Sequence, residues 1–248
     1  MKIVTFNMRF AYNTDGIQSF IHRAGLILDA IAERKPDIIC FQEANDQNIG
    51  FLRKYLAPDY AILLNRRGEG LTGEGLAVAY RPDQCSLHGL EAFWLSPTPQ
   101  IIASKFPGQS MHPRICQRLW FKNEETGNTL RIYNLHLEEL TEDIRLQQME
   151  MVLRRSAEET EPTFLLGDLN TLPDGKVYAF CKEHGLVDLT GHISGSFHNF
   201  GKEEPIKIDY IFTDPVTARR VRRVMVWEDC ANGIYLSDHY PIEMVCDL

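Results

Sequence analysis

Short strand-like apolar runs interleave with amphipathic helical segments from one end of the chain to the other. This predicts a layered α/β (α+β) fold whose strands are buried on both faces. Two further observations support it. The strand-like runs are many and short, with a few amphipathic helices between them. No internal repeat, low-complexity tract or linker interrupts the 248 residues, a length that one large domain can fill. The expectation is a single domain, residues 1–248. Strands of differing direction fit this succession better than a simple doubly wound parallel sheet does.

Each element has its own signal. Lys2–Met8 reads as a strand. It leads into a helix over Ser19–Arg34 that gathers Phe20, Ala24, Ile27 and Ile31 on one face. Pro36 punctuates the return into a strand over Asp37–Gln42. A helix over Gln47–Leu56 precedes strands at Tyr60–Leu64, Leu76–Tyr80 and Leu87–Phe93. The stretch Ser96–Pro113, with Pro97, Pro99, Pro107, Gly108 and Pro113, reads as a long functional loop. Strands resume at Cys116–Lys122 and Leu130–His136. A helix over Glu142–Glu158 then shares a face among Leu146, Met149 and Leu153. A strand at Thr163–Leu166, a short helix over Val177–His184, and strands at Lys207–Phe212, Val221–Trp227 and Tyr240–Val245 complete the chain.

Composition narrows the function classes. Acidic residues number 34 against 26 basic ones, a formal net charge of −8, and phosphate contacts dominate nonspecific nucleic-acid affinity. Nucleic acid is therefore a less favoured partner, though a local patch would suffice. Arg219, Arg220, Arg222 and Arg223 form the one basic cluster, read as a solvated late strand rather than a phosphate strip. The six cysteines are scattered without CxxC or zinc-like spacing, which argues against a disulfide framework or thiolate metal site. The opening MKIVTFNMRF lacks a secretory pattern, and no run approaches the roughly 20 apolar residues of a membrane span. A cytoplasmic location is expected, with no protein partner evident.

The chemistry is carried by polar residues at strand ends. Asn7 closes the first apolar run, and Glu43 follows IICFQ. His136 ends IYNLH, while Asp168 and Asn170 follow FLLG. Asp209 lies in KIDYIF, and Asp238 and His239 precede YPIEMV. Side-chain alternation puts Asp168 and Asn170 on one side with Leu169 turned inward, and groups Glu43 with Ile39 and Phe41. These groups converge on one edge if the final strands run opposite to the earlier ones. Taken singly, each has a bland reading: a turn or helix cap for GDLN and SDHYP, a helix-start charge for Glu43, a structural histidine for His136, an arginine partner for Asp209.

Together and in order, NMR, QEAN, NLHLE, GDLN, KIDYIF and SDHYP resemble the endonuclease/exonuclease/phosphatase superfamily, which includes deoxyribonuclease I and the apurinic endonucleases. FWLSPTP (Phe93–Pro99), HPRICQRLWF (His112–Phe121) and GSFHNFG (Gly195–Gly201) resemble its smaller bacterial hydrolases, related to the poly(A) deadenylases. The resemblance runs from Met1 nearly to Leu248. It implies a four-layer sandwich, with two mixed β-sheets face to face and helices on both outer faces. It also implies a Mg2+-dependent phosphoester hydrolase, with Mn2+ able to substitute. Glu43 is the first metal ligand both by residue chemistry and by resemblance, with Asn7 and Asp238 close by. Asp168 and Asn170 orient or deprotonate the attacking water. His239 stabilises developing charge with Asp209 as its partner, and His136 also meets the phosphate. Arg114 and His198 are implied substrate contacts.

The departures fall in substrate-facing loops. Of a Gly-Arg-Asp-Asp-Gly stretch common in relatives, only Arg66 is matched near Asn65–Glu69. Glu139 stands where a second histidine is usual, and Ser196 where threonine is. A small-molecule, nucleotide or short-oligonucleotide phosphoester is the first expectation for the substrate. A nuclease is the second, and an inactive binding module a distant third. Trp94, Phe197 and Phe200 are read as packing before base-stacking groups.

Overall fold

The structure is a computed structural model that describes residues 1–70 and 73–248. In chain order its first elements are β1 (Lys2–Asn7), α1 (Phe20–Arg34), β2 (Ile38–Ala44), α2 (Asp46–Leu56), β3 (Ala61–Arg66) and β4 (Gly75–Tyr80). Then come β5 (Cys85–Trp94), β6 (Ile115–Asn123), β7 (Thr129–His136), α3 (Glu142–Ser156), β8 (Thr163–Asp168), α4 (Lys176–Glu183) and β9 (Val187–Asp188). Last are β10 (Asp209–Thr213), α5 (Pro215–Ala218), β11 (Val221–Val226), β12 (Cys230–Ala231), β13 (Ile234–Tyr235) and β14 (Ile242–Cys246).

Two six-stranded mixed sheets form, ordered β11-β14-β1-β2-β4-β3 and β5-β6-β7-β8-β10-β9. Three apolar layers define the packing. Ile3, Cys40, Val78 and Met244 of the first sheet meet Phe121, Ile132, Leu166 and Ile211 of the second in the space between them. Val4, Phe6, Ile39 and Phe41 on the first sheet's outer face pack on Ala24, Ile27 and Ile31 of α1 and on Leu52 of α2. Tyr133, Leu135, Leu165 and Phe212 on the second sheet's outer face pack on Met149 and Val152 of α3 and Val177 of α4. Helix, sheet, sheet, helix is the four-layer sandwich expected from the motifs. The helical face read from Phe20, Ala24, Ile27 and Ile31 is buried as a unit.

Strand direction builds the functional pole. β1 and β2 are parallel neighbours joined through α1, and β7 and β8 are parallel neighbours joined through α3. The ends of these four strands therefore share one edge and bring Asn7, Glu43, His136 and Asp168 there. β14 runs antiparallel to β1, and β10 antiparallel to β8, so their starts reach the same edge. The register pairs Asp209 directly with Asp168.

Most strand bounds shift by one or two residues from the sequence reading, and two of the shifts bear on the site. β10 begins at Asp209 and not Lys207, because the Lys207 ammonium is buried on Asp188 and the Thr190 carbonyl, and the Ile208 amide goes to Ser196 Oγ. β14 begins at Ile242 because Pro241 has no amide hydrogen and Tyr240 N donates to the Ser196 carbonyl. Helix α2 starts directly after β2 because Asn45 and Asn48 form a reciprocal cap. Gly167 is required where it stands. Its φ is +136°, and a Cβ there would lie 2.0 Å from the Leu135 carbonyl oxygen of the neighbouring strand. All six cysteines are free, and five are buried. No helix among the described residues is long and apolar enough to cross a membrane.

Candidate active site

Asn7 is the hub. Its Nδ2 donates to Glu43 Oε1 (3.1 Å) and Asp168 Oδ2 (2.9 Å) and lies 3.3 Å from His239 Nε2, joining the two sheets at their common edge. Glu43 does not follow the alternation read from Ile39 and Phe41, which face the helices. Its φ of +54° and a register shift between Phe41 and Ala44 turn its carboxylate toward Asn7. There Oε2 also accepts the Phe10 amide at 2.9 Å. A single non-glycine residue in this left-handed region is strained, and such strain clusters at functional sites.

Asp168 faces the inter-sheet space while Leu169 is buried against the α3 layer, as alternation predicts. The chain then bends at Asn170, whose φ is +49°. Its amide N–H returns to Asp168 Oδ1 (2.9 Å), and its side-chain Nδ2 donates to the Leu137 carbonyl (3.1 Å). Asp209 Oδ2 lies 2.7 Å from His239 Nδ1, a short charge-assisted hydrogen bond. His136 Nε2 is 3.6 Å from Asp168 Oδ2, and Arg9 reaches Asp238 Oδ2 at 3.5 Å.

Burial divides the charges. It would by itself neutralise the His239 ring, but the charge and hydrogen bond of Asp209, with Asp168 and Asp238 nearby, raise its pKa to about 10. Desolvation and then the Asp209 charge raise Asp168 to about 7. Burial likewise raises Asp238. Although burial opposes it, the Phe10 amide and the charges of His239 and Arg9 hold Glu43 below the usual carboxylate range. His136 is driven well below the ordinary imidazole value by burial and by Arg114 and Arg67, so it is neutral. Asp168, Asp209 and His239 offer atoms within 4.8 Å of one another. The 2.7 Å bond between two of them makes that trio a proton-bearing dyad with a neighbouring acid, more than a cation cage.

These side chains open on a cavity of about 730 Å3, lined by Glu43, Asp168, Asn170, Asp238, His239, His136 and Arg114 among others. Asn7 and Asp209 stand one layer behind and hold the lining groups.

Residues 4–239 match the model of the Endonuclease/Exonuclease/phosphatase family. The chain belongs to this family. Solved structures give the same fold across the full length. A functionally unknown conserved protein from Enterococcus faecalis V583 is 26% identical with a TM-score of 0.89, all of both chains being covered. A mannosyl-6-phosphatase from Bacteroides thetaiotaomicron is 24% identical with a TM-score of 0.85, again over all of both chains. TDP2 of D. rerio, complexed with single strand DNA product, is 19% identical with a TM-score of 0.74, over 98% of this chain and 97% of that one. As a family member the protein is a phosphoester hydrolase, and the family typically uses a divalent metal.

His198 corrects the sequence reading. It is 1% exposed and lies outside the cavity wall. Its ring stacks on Tyr240, Nδ1 accepts the Gly201 amide, and its own amide donates to the Asp238 carbonyl, so it backs the loop and does not line the cavity. The family arginine also falls differently. Arg66 pairs with Asp46 away from the cavity, whereas Arg67 lines it, paired with Glu74 at 2.7 Å. The Arg67–Glu74 pair escaped the sequence reading, and the doubled arginine of NRRGEG was the available signal. Trp94 donates to the Arg67 carbonyl and Phe200 is buried, both as packing. Phe197 lines the cavity edge-on to His239.

Proposed function

We propose that the protein is a Mg2+-dependent hydrolase of phosphate esters of small molecules, with Mn2+ able to substitute. The observation that carries this reading is the meeting of Glu43, Asp168, Asp238 and His239 around Asn7 at one mouth of the sandwich. The donor set fits a hard divalent cation. Glu43 and Asp238 supply carboxylate oxygens, with Asn7 behind them holding Glu43 through Nδ2 while its Oδ1 accepts the Arg9 amide. Burial, with Asp209 beside Asp168 and Glu43 beside Asp238, raises both acids, and a cation would relieve this. Held by Glu43 and Asp238, with Asn7 supporting Glu43 from behind, Mg2+ when bound would neutralise phosphoryl charge and favour departure of the leaving oxygen.

The chain's own groups supply the rest. Asp168 takes the proton of the attacking water, and a pKa of about 7 suits a base working near neutrality. Asn170 has committed its Nδ2 to Leu137, which leaves its amide oxygen to orient that water. His239, kept charged by Asp209, donates from Nε2 to the phosphoryl oxygen that gains charge. Neutral His136 donates to a second phosphoryl oxygen, and Arg114 beside it adds positive charge to the same wall.

The substrate reading rests on the wall beyond these groups. There Arg67, Arg114 and Arg145 share the lining with Glu74, Glu139, Glu142 and Asp174. Such mixed charge serves a neutral, hydroxyl-bearing leaving group with one phosphate and repels a polyanion. The fold relative that is a mannosyl-6-phosphatase is in keeping with this. The test is a panel of sugar phosphates, a phosphodiester, single-stranded RNA and duplex DNA, run with Mg2+ and with excess chelator. Hydrolysis concentrated on small esters and abolished by chelator is expected. Preference for a polynucleotide reassigns the protein as a nuclease, and turnover that persists in chelator removes the metal.

A further inference from the structure

The β1–β14 ladder ends at Thr5 and Ile242, short of the residues that carry the chemistry. Asn7 and Arg9 on one chain segment, and Asp238 and His239 on the other, lie past its last rung. Tyr240 N donates to Ser196 and not to β1. Past that rung Asn7 with His239 and Arg9 with Asp238 join the segments through side chains, and no ladder bond joins their backbones.

Arg23, on the first turns of α1, occupies that gap. Its side chain is fully buried. Nη1 donates to the Met8 carbonyl (3.1 Å), next to Asn7, and to the Leu236 carbonyl, two residues before Asp238. Nε donates to the Gln18 carbonyl at 2.6 Å. The rings of Phe20 and Phe200 lie 5.9 and 5.7 Å from its Cζ and wall it from solvent. Gln18 extends the same clasp: its Nε2 donates to the Gly233 carbonyl (2.6 Å) and its Oε1 accepts the Tyr235 amide (3.2 Å). A buried guanidinium is costly unless its donors are matched. Here Nε is matched by Gln18 and Nη1 by one backbone carbonyl on each of the two segments that flank the site, while Nη2 is buried without a hydrogen-bond partner.

We propose that Arg23 is a positioning residue for the reaction: its guanidinium locks the Met8 and Leu236 backbones together and so sets the separation of Asn7 from Asp238 and His239. The planar fork is what the task needs, because one rigid group spans three carbonyls that a lysine ammonium does not match. The inference rests on the hydrolase reading above, so the parent protein is assayed beside the variants. A parent inactive on every ester defeats that reading and leaves the binding measurement below intact.

The experiment compares Arg23→Ala, Arg23→Lys and Gln18→Ala by kcat and KM per folded molecule, by Mg2+ titration calorimetry without substrate, and by rescue with added guanidinium ion. A misplacement of about 1 Å costs on the order of 100-fold in rate. Arg23→Ala is therefore expected to lose about that factor, chiefly in kcat, with weakened Mg2+ binding and partial recovery in millimolar guanidinium. Arg23→Lys should fold and remain impaired, and Gln18→Ala should show a smaller loss of the same kind. If Arg23→Ala does not fold, the lysine variant decides. Parental kcat and Mg2+ affinity in folded Arg23→Lys, or losses that only track the unfolded fraction, overturn the proposal.

Discussion

The two halves of the sandwich are built alike and charged differently. Each has a parallel strand pair joined by a helix, β1–α1–β2 in one and β7–α3–β8 in the other, and each brings an acid to the shared edge. In the first half Glu43 receives the Phe10 amide and sits near Arg9 and His239, so its charged form is favoured. In the second Asp168 is buried and paired in register with Asp209, so its proton is held up to about pH 7. Asn7 donates to both acids from one nitrogen. The same local construction thus yields a permanent anion suited to a cation and a titrating acid suited to a proton. What differs is which partners the opposite strands bring to each.

The largest expected effect tests that division directly. Asp168→Asn should lower kcat by about 10²–10⁴-fold, the usual range for a lost acid–base group, while Mg2+ binding by calorimetry stays close to parental. Glu43→Gln should instead weaken Mg2+ binding and be partly recovered by raising the metal concentration. Equal losses of metal affinity in both variants would erase the distinction between the halves.

A smaller effect sharpens it. Asp209→Asn removes the partner that raises His239, so the charged ring should be lost at lower pH. The alkaline limb of the kcat/KM profile should then move from near pH 10 toward neutrality, with little change at pH 6. An unmoved limb would mean that His239 does not act as an imidazolium.

The smallest effect is on stability in metal-free protein. Folding raises the Asp168 pKa from 3.8 to about 7. The associated stability is present below pH 3.8 and is lost as pH rises through about 7, so the buried carboxylate burdens the fold above neutrality. Asp168→Asn should raise the thermal midpoint by roughly 2–4 °C per kcal/mol relieved at pH 8, and by little near pH 4. A gain of equal size at both pH values would point to packing instead.

Much of this was legible in the sequence because it depends on local chemistry. Periodicity set the helical face of Phe20, Ala24, Ile27 and Ile31, and apolar runs ending in Asn7, His136 and Asp168 marked strands whose ends meet a polar space. The order of motifs identified the family and with it the two-sheet sandwich. Tertiary packing decided what periodicity cannot encode. Alternation sent Glu43 to the face of Ile39 and Phe41, but a left-handed φ of +54° overrode it, because the acid gains the Phe10 amide and Asn7 only by turning. His198 and Arg66 matched family positions yet found their partners elsewhere, in Tyr240 and Asp46, while Arg67 and Glu74 took the cavity wall. Residue type and period are written along the chain. Which charges stand within a few ångströms of each other depends on strands far apart in sequence meeting, and that proximity sets every pKa, ion pair and clasp at this site.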